Sequence, residues 1–409
     1  MKSAVVLLAG WLALTAYYVY LPLPSTVSEP WHLLMLNAMF RVVQQSCDFA
    51  HYIGLGHHAK LLNSFINWLE SLTMPSARPV KITDAIFDGV EVRVYQPDTQ
   101  INQKTLYRSI IYIHGGGWAL LSTKRGFYNH FCEIVAESLD AVVFSIDYRL
   151  VPDFHFPAQF DDVLRATKHV LLPDVLAQYS VDPARIAISG DSAGGNLAAA
   201  VCQEISQEEN ITNRFKLQAL IYPALQSFDF NTPSYQQNKL GPILTRPVMV
   251  EFWVEYFNGS YDFVQSMLMN NHTSLDVSEA NSFRDKLDWT FLLPSRFRKN
   301  YKPITPTTGK PEIVQKMPGL FDVRAGPLLA EKELLRLQPK TYIMTCETDI
   351  LRDDGLMYAK RLEKAGVDVT IDHFEDCFHG CMVFTVWPLN FAAGFQTRDS
   401  YLKWLNENL

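Results

Sequence analysis

The sequence predicts an α/β architecture: a mostly parallel central sheet with helices on both faces. Short apolar strand patterns alternate with helical stretches along much of the chain, the rhythm of a parallel sheet covered on both sides. A Gly-x-Ser-x-Gly pentapeptide, Gly190-Asp191-Ser192-Ala193-Gly194, sits where one such strand meets a helix. The 409 residues, 48% hydrophobic and 19% charged, suffice for one large α/β domain with insertions or two ordinary domains.

Each element follows from its own pattern. From Trp31 to Glu70 apolar residues recur at helical spacing, first Leu33, Leu36, Phe40 and Val43, then Leu61, Leu62, Phe65 and Leu69. Lys81 to Tyr95 alternates as a strand pair around Asp88-Gly89, a strong hairpin signal. Strands are expected at Ser109–Ile113, Ala141–Ile146, Arg185–Ser189, Leu217–Tyr222, Thr341–Cys346 and Val367–Phe374. Helices are expected at about Lys124–Ser138, Pro157–Gln178, Asn196–Gln207 and Gly355–Lys364. Between Pro223 and Pro339 no strand of the core series is visible. Within that stretch Val248 to Phe257 is apolar nearly all round, so a helix there must bury more than one face. Packing inside an insertion is the favoured reading; lining a lipid pocket or touching a bilayer is the alternative. Residues 25–75 and 225–335 are expected to supply a helical cap. There is no internal repeat and no low-complexity segment.

Bulk properties narrow the function. The formal net charge is −7 with no long basic block, which argues against a nucleic-acid partner. The six cysteines are scattered, and none forms a Cys-x-x-Cys pair, so zinc is disfavoured. Ala4 to Leu23 is uncharged and of the length that crosses a bilayer as a helix. It is long for a cleaved signal peptide and ends in Tyr17-Tyr18-Val19-Tyr20, an aromatic interface belt. Residues 1–24 are therefore expected to be a cytoplasmic stub and signal anchor, with Lys2 on the cytoplasmic side. Residues 25–409 are then a single lumenal domain. The sequons at Asn210, Asn258 and Asn271 are compatible with that compartment.

The chemistry centres on Ser192. A serine on a sharp strand-to-helix turn exposes its hydroxyl, and Gly190 and Gly194 let the backbone turn without a clash. The hydroxyl needs a base, usually a histidine held by a carboxylate. In an open parallel sheet these groups lie at the carboxyl ends of strands. Asp349 follows the strand from Thr341, and His379 follows the strand from Val367, in the loop Glu375–Gly380. The chain order Ser192, Asp349, His379 is that of the α/β-hydrolase fold. Glu347 remains a second carboxylate near the strand end. Asp353 and Asp354 precede a helix, where acids interact favourably with the dipole, and capping is the better account. His373, on the strand, reads as structural. His114-Gly115-Gly116-Gly117-Trp118 follows an early core strand, where half of an oxyanion hole is expected. The expected amide donors are Gly116, Gly117 and Ala193.

These residues carry a resemblance. His114–Trp118, Asp147-Tyr148-Arg149-Leu150, Gly190–Asn196 and Asp349–Gly355 together resemble the hormone-sensitive-lipase group of α/β hydrolases, and within it the arylacetamide deacetylase branch. The resemblance runs the length of the chain. Asn231–Asn238 and Asp372–Asp376 look closest to the cholesteryl-ester-cleaving members of that branch. It implies a single-pass endoplasmic-reticulum membrane enzyme with a lumenal catalytic domain, acting on cholesteryl esters and acetylated ether glycerolipids. It also implies Ser192 as nucleophile, His379 as base and acid, and Asp349 as its orienting partner. In one respect the chain departs: some deacetylase relatives have a cysteine where Ala119 stands, so a disulfide from there to Cys346 is not available. The expectation is a membrane-anchored serine carboxylic ester hydrolase that needs no metal or organic cofactor. A broad-specificity esterase or amidase is the first alternative, and a non-catalytic receptor with the same fold the second.

Overall fold

Asp88 and Gly89 both take positive φ, and the chain turns back on itself there. The turn joins β1 (Val80–Phe87) to β2 (Val90–Pro97), which pair antiparallel. Six further strands follow: β3 (Tyr107–Ile113), β4 (Ala141–Asp147), β5 (Val181–Asp191), β6 (Leu217–Ile221), β7 (Lys340–Thr348) and β8 (Val369–Phe378). They form one sheet in the order β1-β2-β4-β3-β5-β6-β7-β8, parallel from β4 onward. This computed structural model describes residues 10–11, 15–16, 18–72, 78–98, 106–124 and 126–409.

The central strands are apolar on consecutive residues because both faces are covered. Ile110, Ile111, Tyr112 and Ile113 of β3 are all fully buried. Successive side chains serve opposite faces: Ile111, Ile113, Val142 and Phe144 enter one apolar cluster, and Ile110, Tyr112 and Val143 the other. The helices that use the fold are α1 (Pro30–Tyr52), α2 (His58–Glu70), α3 (Gly126–Leu139), α4 (Ala158–Val170), α5 (Ala193–Gln207), α6 (Arg246–Tyr256), α7 (Arg352–Ala365) and α8 (Ala392–Asn408). α4, α5 and α7 cover the first face, and α3 and α8 the second.

Three departures from the sequence expectations have local causes. The stretch Pro157–Gln178 is broken into α4 and a short helix, Pro173–Gln178. Pro173 lacks an amide proton and forces Leu172 into extended backbone, so the first helix cannot run through. β8 runs on to Phe378, so residues 375–378 are strand rather than loop. α8 was not anticipated, although its buried Ala393, Thr397, Tyr401, Trp404 and Leu405 follow helical spacing.

Between β6 and β7 the described chain forms short helices and no strand. Half of the apolar run Ala4–Leu23 lies outside the described residues; of the rest, 10–11, 15–16 and 18–19 are helical and 20–23 are not. Among the described residues no helix is long and apolar enough to cross a membrane. Asn210 and Asn258 are exposed and Asn271 is half-buried.

Candidate active site

β5 ends at Asp191, and Ser192 adopts φ 54°, ψ −120°, a conformation L-residues rarely take. The surroundings hold it there: its amide donates to the Ile221 carbonyl at 2.9 Å, and its carbonyl accepts from Asn196 at 3.0 Å. The glycine two residues on is a steric requirement, since a Cβ at Gly194 would lie 2.1 Å from the Ile113 carbonyl oxygen. β5 thus turns into α5 against the end of β3, and the Ser192 hydroxyl is aimed into a cavity.

The sheet brings the three distant residues into one line. Ser192 Oγ is 2.9 Å from His379 Nε2, and His379 Nδ1 is 2.8 Å from Asp349 Oδ2. Asp349 Oδ1 accepts from the Leu351 amide at 2.8 Å, which fixes the carboxylate. His379 follows β8 directly, so its ring is held by a strand end and not by a mobile loop; Tyr222 packs against it edge-on, centroids 5.0 Å apart.

The glycine loop after β3 faces the serine. Gly116 and Gly117 take φ of 109° and 61°. Among the described residues the amides of Gly116, Gly117 and Ala193 donate no hydrogen bond, and all three residues line the cavity with Ser192. Gly115 instead donates to Tyr128 Oη and to Asp191 Oδ1 at 3.0 Å. Asp191 also accepts from Tyr112 and Tyr128, each at 2.9 Å. It therefore ties the glycine loop to the serine turn, a role that the pentapeptide pattern alone did not reveal. Burial pushes its carboxyl up to about 6 against the pull of those tyrosine bonds. His114 is fully buried, stacked on Tyr148 at 4.3 Å, and its carbonyl accepts from the Tyr148 hydroxyl.

The other carboxylates are occupied elsewhere. Glu347 bonds His373 at 3.1 Å and Arg352 at 2.9 Å. Asp353 and Asp354 stand in the first turn of α7, but the capping account must be corrected: neither caps the helix, and both are fully buried and bonded to another segment. Asp353 accepts from the Ser234 amide at 2.6 Å, and Asp354 from the Leu225 amide and Gln226 Nε2 at 3.0 and 2.9 Å. They fasten residues 225–234 to α7. Burial pushes the Asp354 carboxyl up to about 8.

The cavity above Ser192 encloses about 170 Å³. α1 contributes Phe40 and Cys47, α2 Leu62 and Ile66, and α6 Met249 and Phe252. Of the long insertion, residues 243–255 reach it. α6 is apolar apart from Arg246, Glu251 and Glu255 because it has two jobs. Phe252 closes on Gly117, where a Cβ would meet its ring at 2.7 Å, while Trp253 and Tyr256 pack on Trp118 with centroids 4.6 and 4.2 Å apart.

One polar cluster in this wall escaped the sequence reading. His58 Nδ1 meets Asp48 at 3.0 Å, and its Nε2 meets the Tyr261 hydroxyl at 2.5 Å and Glu255 at 3.5 Å. His57 Nε2 lies 3.2 Å from Glu255, and Tyr261 also donates to Glu255. The His57, His58 and Glu255 ligand atoms lie within 4.8 Å of one another, as do those of Cys346, Cys377 and Cys381. These two sets could grip a metal. Among the described residues neither set is hydrogen-bonded to Ser192, His379 or Asp349. All six cysteines are buried free thiols, with Cys346 and Cys381 sulfurs 3.8 Å apart. The thiol set has no Cys-x-x-Cys spacing in sequence; the pairing of β7 with β8 creates it.

A parallel sheet, a strained serine at the strand-to-helix turn, and a histidine and carboxylate from later strand ends define an α/β hydrolase. The family profile described as alpha/beta hydrolase fold matches residues 110–281 and 312–383, and the chain belongs to that family. The chain is a serine ester hydrolase of the carboxylesterase type. Over 409 residues it is 58% identical to neutral cholesterol ester hydrolase 1 of Bos taurus, covering all of both chains. It is 44% identical over 396 residues to arylacetamide deacetylase of Bos taurus, covering 97% of each. Among solved structures, a bacterial heroin esterase superposes with a TM-score of 0.62 at 25% identity, covering 85% of this chain and 91% of that one.

Proposed function

We propose that this ester hydrolase cleaves lipid esters, cholesteryl esters and 2-acetyl monoalkylglycerol ethers among them, from an anchor in the endoplasmic-reticulum membrane with its catalytic domain in the lumen. Ser192 Oγ attacks the ester carbonyl while His379 Nε2 takes its proton, and Asp349 holds the imidazole in the required tautomer. The amides of Gly116, Gly117 and Ala193 hold the oxyanion. His379 then protonates the departing alcohol, leaving an acyl-enzyme. Water activated by the same histidine releases the acid. No cofactor takes part in these steps.

The observation that carries the reading is the 2.9 and 2.8 Å relay from Ser192 through His379 to Asp349, opening on a cavity walled by apolar side chains. The full-length 58% identity to neutral cholesterol ester hydrolase 1 supports the substrate class. The uncharged run Ala4–Leu23 supports the anchor. A broad-specificity esterase or arylacetamide deacetylase is the second reading, favoured by the 44% identity to that enzyme. Side-by-side turnover of a cholesteryl ester, an acetylated ether lipid and an aryl acetamide, with wild type and Ser192→Ala, tests both. The lipid esters should turn over best, and Ser192→Ala should be inactive on all three. Preferential turnover of the aryl acetamide would select the second reading, and activity surviving in Ser192→Ala would overturn the mechanism.

A further inference from the structure

α1 has two faces, and they serve different media. Phe40, Gln44 and Cys47, on one side of the helix, line the cavity above Ser192. About half a turn away, at 3.6 residues per turn, stand Trp31, Met35, Val42 and Phe49. They fall within about 40° of arc and are 77%, 61%, 51% and 63% exposed. Ala38, Gln45 and Ser46 border this arc, Ala38 small and buried; no charged residue lies within it. At the helix end Tyr52, and just beyond it Ile53 and Leu55, are also at least half exposed. A soluble surface rarely carries so long an apolar stripe without a partner.

We infer that this stripe lies on the lipid bilayer, so that α1 forms the partition between the membrane and the active-site cavity. The inference rests on the proposed anchoring and deepens it. The position of the uncharged run argues for lipid over a second copy of the chain. That run ends at Leu23, seven residues before α1 begins at Pro30. Its described end packs on α1 itself: Tyr18 donates to Gln45 Oε1 at 2.9 Å, and the Arg41 guanidinium stacks over the Tyr18 ring at 4.5 Å. A helix emerging from the bilayer at Tyr18 therefore brings α1 to the membrane surface. Trp31 and Tyr52, apolar rings with a polar tip, suit the headgroup level. A half-buried apolar helix face lying in the interface plane is the physical form of such a contact. A lipid ester then crosses from acyl chains to Ser192 past one helix, with little exposure to water.

The test uses the full chain in phosphatidylcholine vesicles carrying a long-chain lipid ester, with a soluble short-chain ester assayed in parallel. Trp31→Asp, Met35→Asp and Phe49→Asp combined should lower turnover of the vesicle ester about tenfold, with soluble-ester turnover and fluorophosphonate labelling of Ser192 unchanged. Equal turnover of both esters by wild type and variant would overturn the inference. So would a drop in oligomer mass with vesicle turnover intact, which would make the stripe an interface between copies. A wild-type chain that fails to float with the vesicles overturns the anchoring reading and this inference with it. A fluorophore on Phe49→Cys gives an independent readout: quenching by lipid-borne quenchers supports the bilayer contact, and quenching by aqueous iodide alone overturns it.

Discussion

At the residue scale the site depends on a few atoms held in strained or confined positions. Asp349→Asn keeps the fold but presents the wrong partner to His379 Nδ1, and kcat should fall about 10⁴-fold in steady-state kinetics. Gly117→Ala places a methyl group 2.7 Å from the Phe252 ring at a φ of 61°. The loop must shift, and kcat should fall about 10²- to 10³-fold through loss of an oxyanion donor. If kcat holds and KM alone rises, the Gly117 amide is not such a donor. Ser192, Asp349, His379 and the glycine loop were all legible in sequence because each sits at a predictable strand end. The true work of Asp191 was not, because its partners Tyr112, Tyr128 and Gly115 come from other elements. Nor was the burial of Asp353 and Asp354: acids at a helix start are usually solvated, and here residues 225–234 cover them.

At the scale of elements, α6 couples the glycine loop to the cavity wall. Trp253→Ala deletes a fully buried ring packed on Trp118, and should cost about 3–5 kcal/mol of stability by chemical denaturation. The β7–β8 edge has an acid dependence. Burial opposes ionisation of Glu347, but bonds to His373 and Gln237 and the Arg352 charge outweigh it and bring its carboxyl down to about 2 from an ordinary 4.5. A lowered carboxyl contributes stability that is present above pH 4.5 and lost as pH falls through about 2. Glu347→Gln should remove that part of the acid limb; identical acid melting curves for variant and wild type would refute it. The wall shared by α1, α2 and α6 has the opposite sign. Burial lowers His58, but its bonds to Asp48 and Glu255 win and raise it to about 9 from 6.5. This contribution is present below pH 6.5 and lost as pH rises through about 9. Protection of α1 and α2 amides, relative to their intrinsic exchange rates, should fall across that window in wild type and not in His58→Gln.

At the scale of the whole molecule, the hydrolase core and the surface beside the N-terminal run are separable. Removing residues 1–23 should leave turnover of a soluble ester intact and reduce turnover of an ester embedded in vesicles. Equal effects on the two substrates would remove the support for membrane delivery. The sequence by itself determined the parallel sheet, the serine turn, the order of the three aligned side chains and the glycine loop. Each of these is written in local periodicity or in steric demands on adjacent residues. The tertiary structure alone decided what surrounds them. The cavity wall joins residues near 40, 60 and 250, and the His58–Tyr261 contact spans 203 positions of the chain. The two sides of α1 look alike as a pattern of apolar residues, and folding decides which one meets the cavity and which is left exposed. A helical pattern records which residues share a face; it carries no information about what that face will touch.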